Sequence, residues 1–122
     1  MDKMSHLSTT TLAFVGDAYF HLEVRARLIG EFGDLHSKAL HNKAAGYVSA
    51  VAQAKILDRI EAHLNAFELD LVRRARNTHA ATSAKNATLA EYKRATGLET
   101  VIGYYYLTGD SRLGEIMELI FN

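Results

Sequence analysis

Residues 12–22 read LAFVGDAYFHL, and the fold follows from how Asp17 sits in that run. Apolar or aromatic residues occupy nearly every position around it, the pattern of a helix enclosed by other protein elements rather than of a strand with one wet face. Leu12, Val15, Tyr19, Leu22, Ala26 and Ile29 recur at three- and four-residue spacing, with Ser8 or Thr9 as the N-cap and Gly30 and Gly33 as the stop. Asp17 is therefore expected to be at least partly buried. Removing a lone ionised carboxylate from water costs several kcal/mol unless a cation or hydrogen-bond donors compensate, so the chain must hold a partner elsewhere.

Outward from this helix the helical pattern continues. Asp34 can cap a second helix running towards Gly46, and Ser49 stands near the start of a third that carries Val51, Ala54, Ile56, Leu57 and Ile60. A fourth helix is expected around residues 67–76, followed by the polar stretch NTHAATSAKNAT at 77–88, whose side chains bond nearby backbone instead of continuing a helix. A fifth runs from Leu89 to Gly109. Asp110 or Ser111 caps the last, an amphipathic segment with Leu113, Ile116, Met117 and Ile120. The chain has no proline and little β-branched alternation. The expected fold is thus all-α, and 122 residues suffice for one compact domain over 1–122 but not for two.

Bulk properties narrow the chemistry. The absence of cysteine excludes disulfides, thiolate metal sites and cysteine nucleophiles, leaving oxygen or imidazole for any metal. Fourteen basic residues against fourteen acidic ones rule out nucleic-acid binding through overall positive charge, so local clusters matter. No apolar stretch reaches bilayer length, and MDKMSHLSTTT at residues 1–11 lacks the apolar region of a secretory signal; a cytoplasmic location is expected.

A second embedded carboxylate is Glu99, in GLETVIGYYYL at residues 97–107. Gly16 beside Asp17 and Gly103 one turn after Glu99 are poor helix formers, each costing roughly 1 kcal/mol, which makes sense where two helix backbones approach closely. Such packing would bring the two acids together. Paired oxygen ligands on facing helices suit Mg²⁺ or Mn²⁺ rather than zinc. The residue pattern alone also allows a satisfied acid paired with Arg25, Arg27 or Arg94.

The segments LAFVGDAYFHLEVR and GLETVIGYYYL resemble the two acidic motifs of the ribonuclease III family. DLHSKALHNKAAGYVSAVAQAKIL and RRARNTHAATSAKNATLAEYKRATGLE are similar to the middle segments of its Mini-ribonuclease III branch, which has the nuclease domain alone, so that the likeness covers nearly the whole chain. It implies that Asp17 and Glu99 are the catalytic, metal-binding acids. The full-length branch has two further acids, at positions held here by Ala13 and Thr96; the Mini branch also lacks the first of them. The resemblance further implies a homodimer, Mg²⁺ with Mn²⁺ as a substitute, and hydrolysis of both strands of double-stranded RNA to 5′-phosphate and 3′-hydroxyl ends. Its usual substrate class is precursor 23S ribosomal RNA, with a ribosomal protein on the substrate as a possible helper.

For RNA contact, residues 73–94 contain Arg73, Arg74, Arg76, Lys85, Lys93 and Arg94 against the single acid Glu91. Asn77, Thr78, Thr82, Ser83 and Asn86 add donors suited to phosphates or 2′-hydroxyls across a shallow minor groove. His36, Lys38, His41 and Lys43 form a second basic cluster, which either grips phosphate or faces solvent. His21, one turn after Asp17, reads as a core or contact residue more readily than as a ligand, and the run Tyr104, Tyr105, Tyr106 as packing more readily than as a base-stacking platform. Two other functions fit the residues: a noncatalytic RNA-binding module, weakened as a metal site by Ala13 and Thr96, and a purely structural helical interaction domain.

Overall fold

The computed structural model describes residues 6–78 and 86–122, and it is helical throughout, with no strand among the described residues. Six α-helices follow one another: α1 Thr9–Phe32, α2 Ser37–Val48, α3 Ala50–Ile60, α4 Ala66–Arg76, α5 Leu89–Thr108 and α6 Arg112–Phe121, with a 3₁₀ turn at Glu61–His63. Local chemistry sets their ends. Ser8 accepts from the Thr11 amide at 3.1 Å to start α1, which runs through Gly30 and stops at Gly33, where φ is +70°. Helix α2 is capped by His36, not by Asp34: the imidazole Nδ1 accepts from the Ala39 amide at 3.3 Å. Ser49 closes α2 and opens α3. Reciprocal capping boxes, Asn65 with Glu68 and Thr88 with Glu91, start α4 and α5.

Helix α5 is the axis of the molecule, packing against α1, α3, α4 and α6, and its contact with α1 is the most extensive of all. Around it gather Leu12, Phe20, Val24 and Leu28 of α1, Ile56, Leu57 and Ile60 of α3, Leu71 and Val72 of α4, and Ile116, Met117 and Ile120 of α6.

The buried face of α1 is not the one its apolar spacing suggested. Thr9, Leu12, Ala13, Gly16, Phe20, Val24 and Leu28 point inward, whereas Leu22 and Ile29 are 65% and 51% exposed. Apolar residues lie all round this helix, so their periodicity cannot select a face. Gly16 does, because it is where α5 presses closest. A methyl group at Gly16 would overlap the Glu99 carbonyl oxygen and lie 2.9 Å from the Gly103 nitrogen; one at Gly103 would overlap the Leu12 carbonyl. The expected close approach of the two glycines is therefore present, and it puts the middles of α1 and α5 backbone to backbone.

At the far end of α5 a buried ionic cluster ties three helices together. Glu68 of α4, with no solvent exposure, accepts from Arg112 Nε at 2.8 Å, from the Tyr105 hydroxyl at 2.6 Å and from the Asn65 amide at 2.9 Å. Burial works against its charge, but these donors outweigh it and hold its carboxyl below the usual glutamate value. Burial and Glu68 push the Tyr105 hydroxyl above its ordinary pKa, so it stays a donor. Of the tyrosine run, then, Tyr105 is core; Tyr104 packs its ring 4.9 Å from Phe67, and Tyr106 lies 5.2 Å from Tyr19. Tyr105→Phe should cost about 1.5–3 kcal/mol, the loss of one hydrogen bond to a charged group. That is read as a lower urea midpoint at unchanged slope; an unshifted midpoint would mean the hydroxyl adds nothing.

Candidate active site

Asp17 and Glu99, 82 positions apart in the chain, meet at the crossing of α1 and α5. Their carboxyl groups are in hydrogen-bonding contact. Burial, the Asp17 contact and the Asp17 charge together push Glu99 up to about 9, with a Gln53 hydrogen bond pulling modestly the other way. Without a cation, Glu99 therefore keeps its proton at neutral pH.

The two are not equally buried. Asp17, expected to be at least partly buried, keeps about half of its side chain covered and is 52% exposed. Gly16 takes the position that faces α5, and the next residue, about 100° further round the helix, falls at the rim of the crossing. One acid thus opens to solvent while the other lies behind it. His21, one turn along α1, sets its Nε2 3.2 Å from Asp17 Oδ1. Ala13 is buried and Thr96 half-buried, its hydroxyl donating to the Tyr92 carbonyl at 3.0 Å. Neither adds charge to the site.

A residue that sequence reasoning passed over completes the surroundings. Gln53 of α3 is 1% exposed and donates from Nε2 to Glu99 Oε2 at 3.2 Å and to the Val48 carbonyl at 3.1 Å. A signal was available: positions 53, 56, 57 and 60 form the apolar stripe of α3, and only the first of them is polar.

The basic residues fall in two places. Arg73, Arg74, Arg76 and Asn77 lie in the last turn and cap of α4, and Asn86 just before α5 adopts a φ of +65°, a left-handed conformation that asparagine tolerates. Lys85, Thr82 and Ser83 lie outside the described residues. The positive excess is smaller than the residue count implied: Arg73 pairs with Asp70 at 2.6 Å, and Arg94 with Asp58 and Glu61 at 2.7 and 2.9 Å. Among the described residues Arg74 and Arg76 carry no ion pair. His36 and Lys38 stand at the start of α2, where His36 spends Nδ1 on the helix cap, and Lys43 lies 4.1 Å over the Phe32 ring.

The ribonuclease III domain model matches residues 10–110, which contain both acids and the whole α1–α5 crossing. This chain belongs to the ribonuclease III family. The Mini-ribonuclease 3 of Clostridium tetani is 41% identical over 120 residues, spanning 98% of this chain and 80% of that one. That of Brevibacillus brevis is 43% identical over 111 residues, spanning 90% and 82%. A solved structure of a protein from Fusobacterium nucleatum superposes with a TM-score of 0.86 at 28% identity, covering 99% of this chain and 98% of that one. The resemblance read from the acidic segments for the family, and from the middle segments for the branch, thus names both correctly, and the molecule is an endoribonuclease.

Proposed function

We propose that this endoribonuclease hydrolyses double-stranded RNA with Asp17 and Glu99 jointly holding a divalent cation, Mg²⁺ in the first instance and Mn²⁺ as a substitute. The observation that carries this is the contact of the two carboxyls, with the proton affinity of Glu99 raised by it. A pair of hard oxygen donors, one open to solvent and one partly buried, suits such an ion, and cation binding relieves the repulsion that the metal-free site meets by keeping a proton. No group of three or more His, Cys, Asp or Glu side chains among the described residues is arranged to hold an ion. Water and the phosphate oxygens of the substrate would complete the shell, as they commonly do for Mg²⁺. When bound, the ion supplies Lewis acidity that makes water a better nucleophile and offsets charge on the transferring phosphate. The chain's own part is to present Asp17 at the surface, steadied by His21, and to hold the less exposed Glu99 beside it.

The products are 5′-phosphate and 3′-hydroxyl ends. The natural substrate is precursor 23S ribosomal RNA in the cytoplasm, with a ribosomal protein on that RNA as a helper. Incubating the purified protein with a labelled duplex in Mg²⁺, and again with a chelator, tests the reading. Cation-dependent cleavage with those ends is expected, whereas a stable complex and no product would leave an RNA-binding module.

Duplex RNA is gripped through phosphates by Arg73, Arg74, Arg76 and Lys85, aided by Asn77 and Asn86, with His36 and Lys38 as a second contact. Because Arg73 already pairs with Asp70, Arg74 and Arg76 should dominate. Replacing both with Gln should lower the slope of log affinity against log salt by about one per lost phosphate contact and weaken all duplexes alike. An unchanged slope would remove them from the interface.

The active unit is a homodimer. Its support is the outward stripe of α1, where Phe14, Leu22 and Ile29 are 80%, 65% and 51% exposed at helical spacing. Apolar area of this kind favours cover by a second copy. Phe14→Arg with Leu22→Arg should shift the protein to monomer in sedimentation; a dimer that survives both charges would place the interface elsewhere.

A further inference from the structure

The amide of Gln53 is tied to two partners that together fix its orientation. One Nε2 hydrogen goes to the Val48 carbonyl at 3.1 Å, in the last turn of α2, where helix carbonyls lack intrahelical partners. Turning the amide over would set its oxygen against that carbonyl oxygen, so the backbone selects the orientation. The other hydrogen is thereby aimed at Glu99 Oε2, 3.2 Å away.

This arrangement does not favour the fold. Gln53 Oε1 is buried without a hydrogen-bond partner, a condition that costs about 1–3 kcal/mol, and a methionine or leucine would fill the same apolar stripe without it. What the amide uniquely offers is a neutral donor. An arginine or lysine at this position would orient Glu99 equally well but would cancel the charge needed to attract a cation. His21 stands in a matching relation to Asp17, with its Nε2 3.2 Å from the carboxylate. With Ala13 and Thr96 adding no charge, two carboxylates must serve the site, and their aim matters correspondingly more.

We propose that Gln53 is a positioning residue for phosphodiester hydrolysis: held by the Val48 carbonyl, its amide turns the Glu99 carboxylate towards Asp17 while leaving the negative charge of the pair intact. This rests on the reading of Asp17 and Glu99 as the cation-binding pair.

Gln53→Met, which keeps length and volume but has no donor, tests the idea through two readouts. Mn²⁺ affinity of the RNA-free protein, titrated by electron paramagnetic resonance, should fall by about 10- to 100-fold, the usual effect of losing a group that orients a metal ligand. The Mg²⁺ concentration for half-maximal kcat should rise by a similar factor, KM for duplex RNA should stay unchanged, and the metal-free protein should melt no lower than the parent. If Met does not fold, Gln53→Asn keeps the amide but is one methylene too short to span Val48 and Glu99, and should show the same loss. Parent-like Mn²⁺ affinity and Mg²⁺ dependence in the folded variant would overturn the proposal. Glu99→Gln run alongside separates the two claims. A Glu99→Gln protein that binds Mn²⁺ and cleaves normally defeats the cation-pair reading itself. One that is inert, beside a parent-like Gln53→Met, defeats only the positioning role.

Discussion

Glu99→Gln should lose cleavage by roughly 10²–10³-fold or more while making the metal-free protein more stable at neutral pH, and Asp17→Asn should match it in lost activity. The loss follows from removing one of two charges that hold the ion, a defect at least as large as deleting a single group that stabilises a charged transition state. The stability gain follows from linkage. In the folded, metal-free protein burial and Asp17 raise the Glu99 carboxyl from 4.5 to about 9. A group with a raised folded value favours the native state below its unfolded value, and that contribution is lost as pH climbs through the folded one. The parent in chelator should therefore melt progressively lower from pH 4.5 to 9, and Glu99→Gln, which takes up no proton, should flatten that slope. Added Mg²⁺ should raise the melting temperature of the parent most at the alkaline end. Retained turnover in both variants would remove the acids from the mechanism; parallel melting profiles of parent and Glu99→Gln would show that the carboxyl contact is not strained in solution.

Gly16→Ala and Gly103→Ala should be the most damaging single methyl additions in the molecule. Each would drive a carbon into a backbone carbonyl of the facing helix, that of Glu99 for the first and of Leu12 for the second. Backbone, unlike a flexible side chain, cannot step aside, so α1 and α5 must separate along their whole contact. Overpacking costs typically about 1–3 kcal/mol and more where nothing yields, which for a chain of this size is a fall of roughly 3–18 °C in melting temperature. Activity should fall further than stability alone explains, because widening the crossing pulls Asp17 away from Glu99. Gly30→Ala, Gly46→Ala and Gly114→Ala are the controls, since a methyl group there meets nothing within 4 Å. All three lie inside helices, so they should be neutral or gain up to about 1 kcal/mol from better helix propensity. If Gly16→Ala melts with these controls, α1 and α5 do not meet backbone to backbone at this position.

The balance between chain and fold is seen in particular residues. Helix ends were legible wherever one residue's type suffices locally: Ser8 and Ser49 cap through a side-chain oxygen, and Gly109 through a left-handed backbone. The start of α2 misled because Asp34 and His36 both offer an acceptor, and backbone geometry two residues on decides between them. The face of α1 misled for a different reason. With Phe14, Leu22 and Ile29 as apolar as Phe20 and Val24, hydrophobic spacing has no preferred direction, and direction enters only through what packs against the helix.

The linear chain by itself determined the helical class, because it has no proline and its polar breaks fall at capping distances. It also singled out Asp17 and Glu99, though not the fully buried Glu68, and showed that the glycines beside them allow backbones to touch, since charge, size and propensity belong to single residues. Only tertiary structure decided that Asp17 stands at the rim with Glu99 behind it, that Arg73 and Arg94 are already spent on acids of other turns or helices, and that Gln53 reaches the site from α3. Those are relations between surfaces far apart in sequence, and they come into being only when α1, α3 and α5 pack.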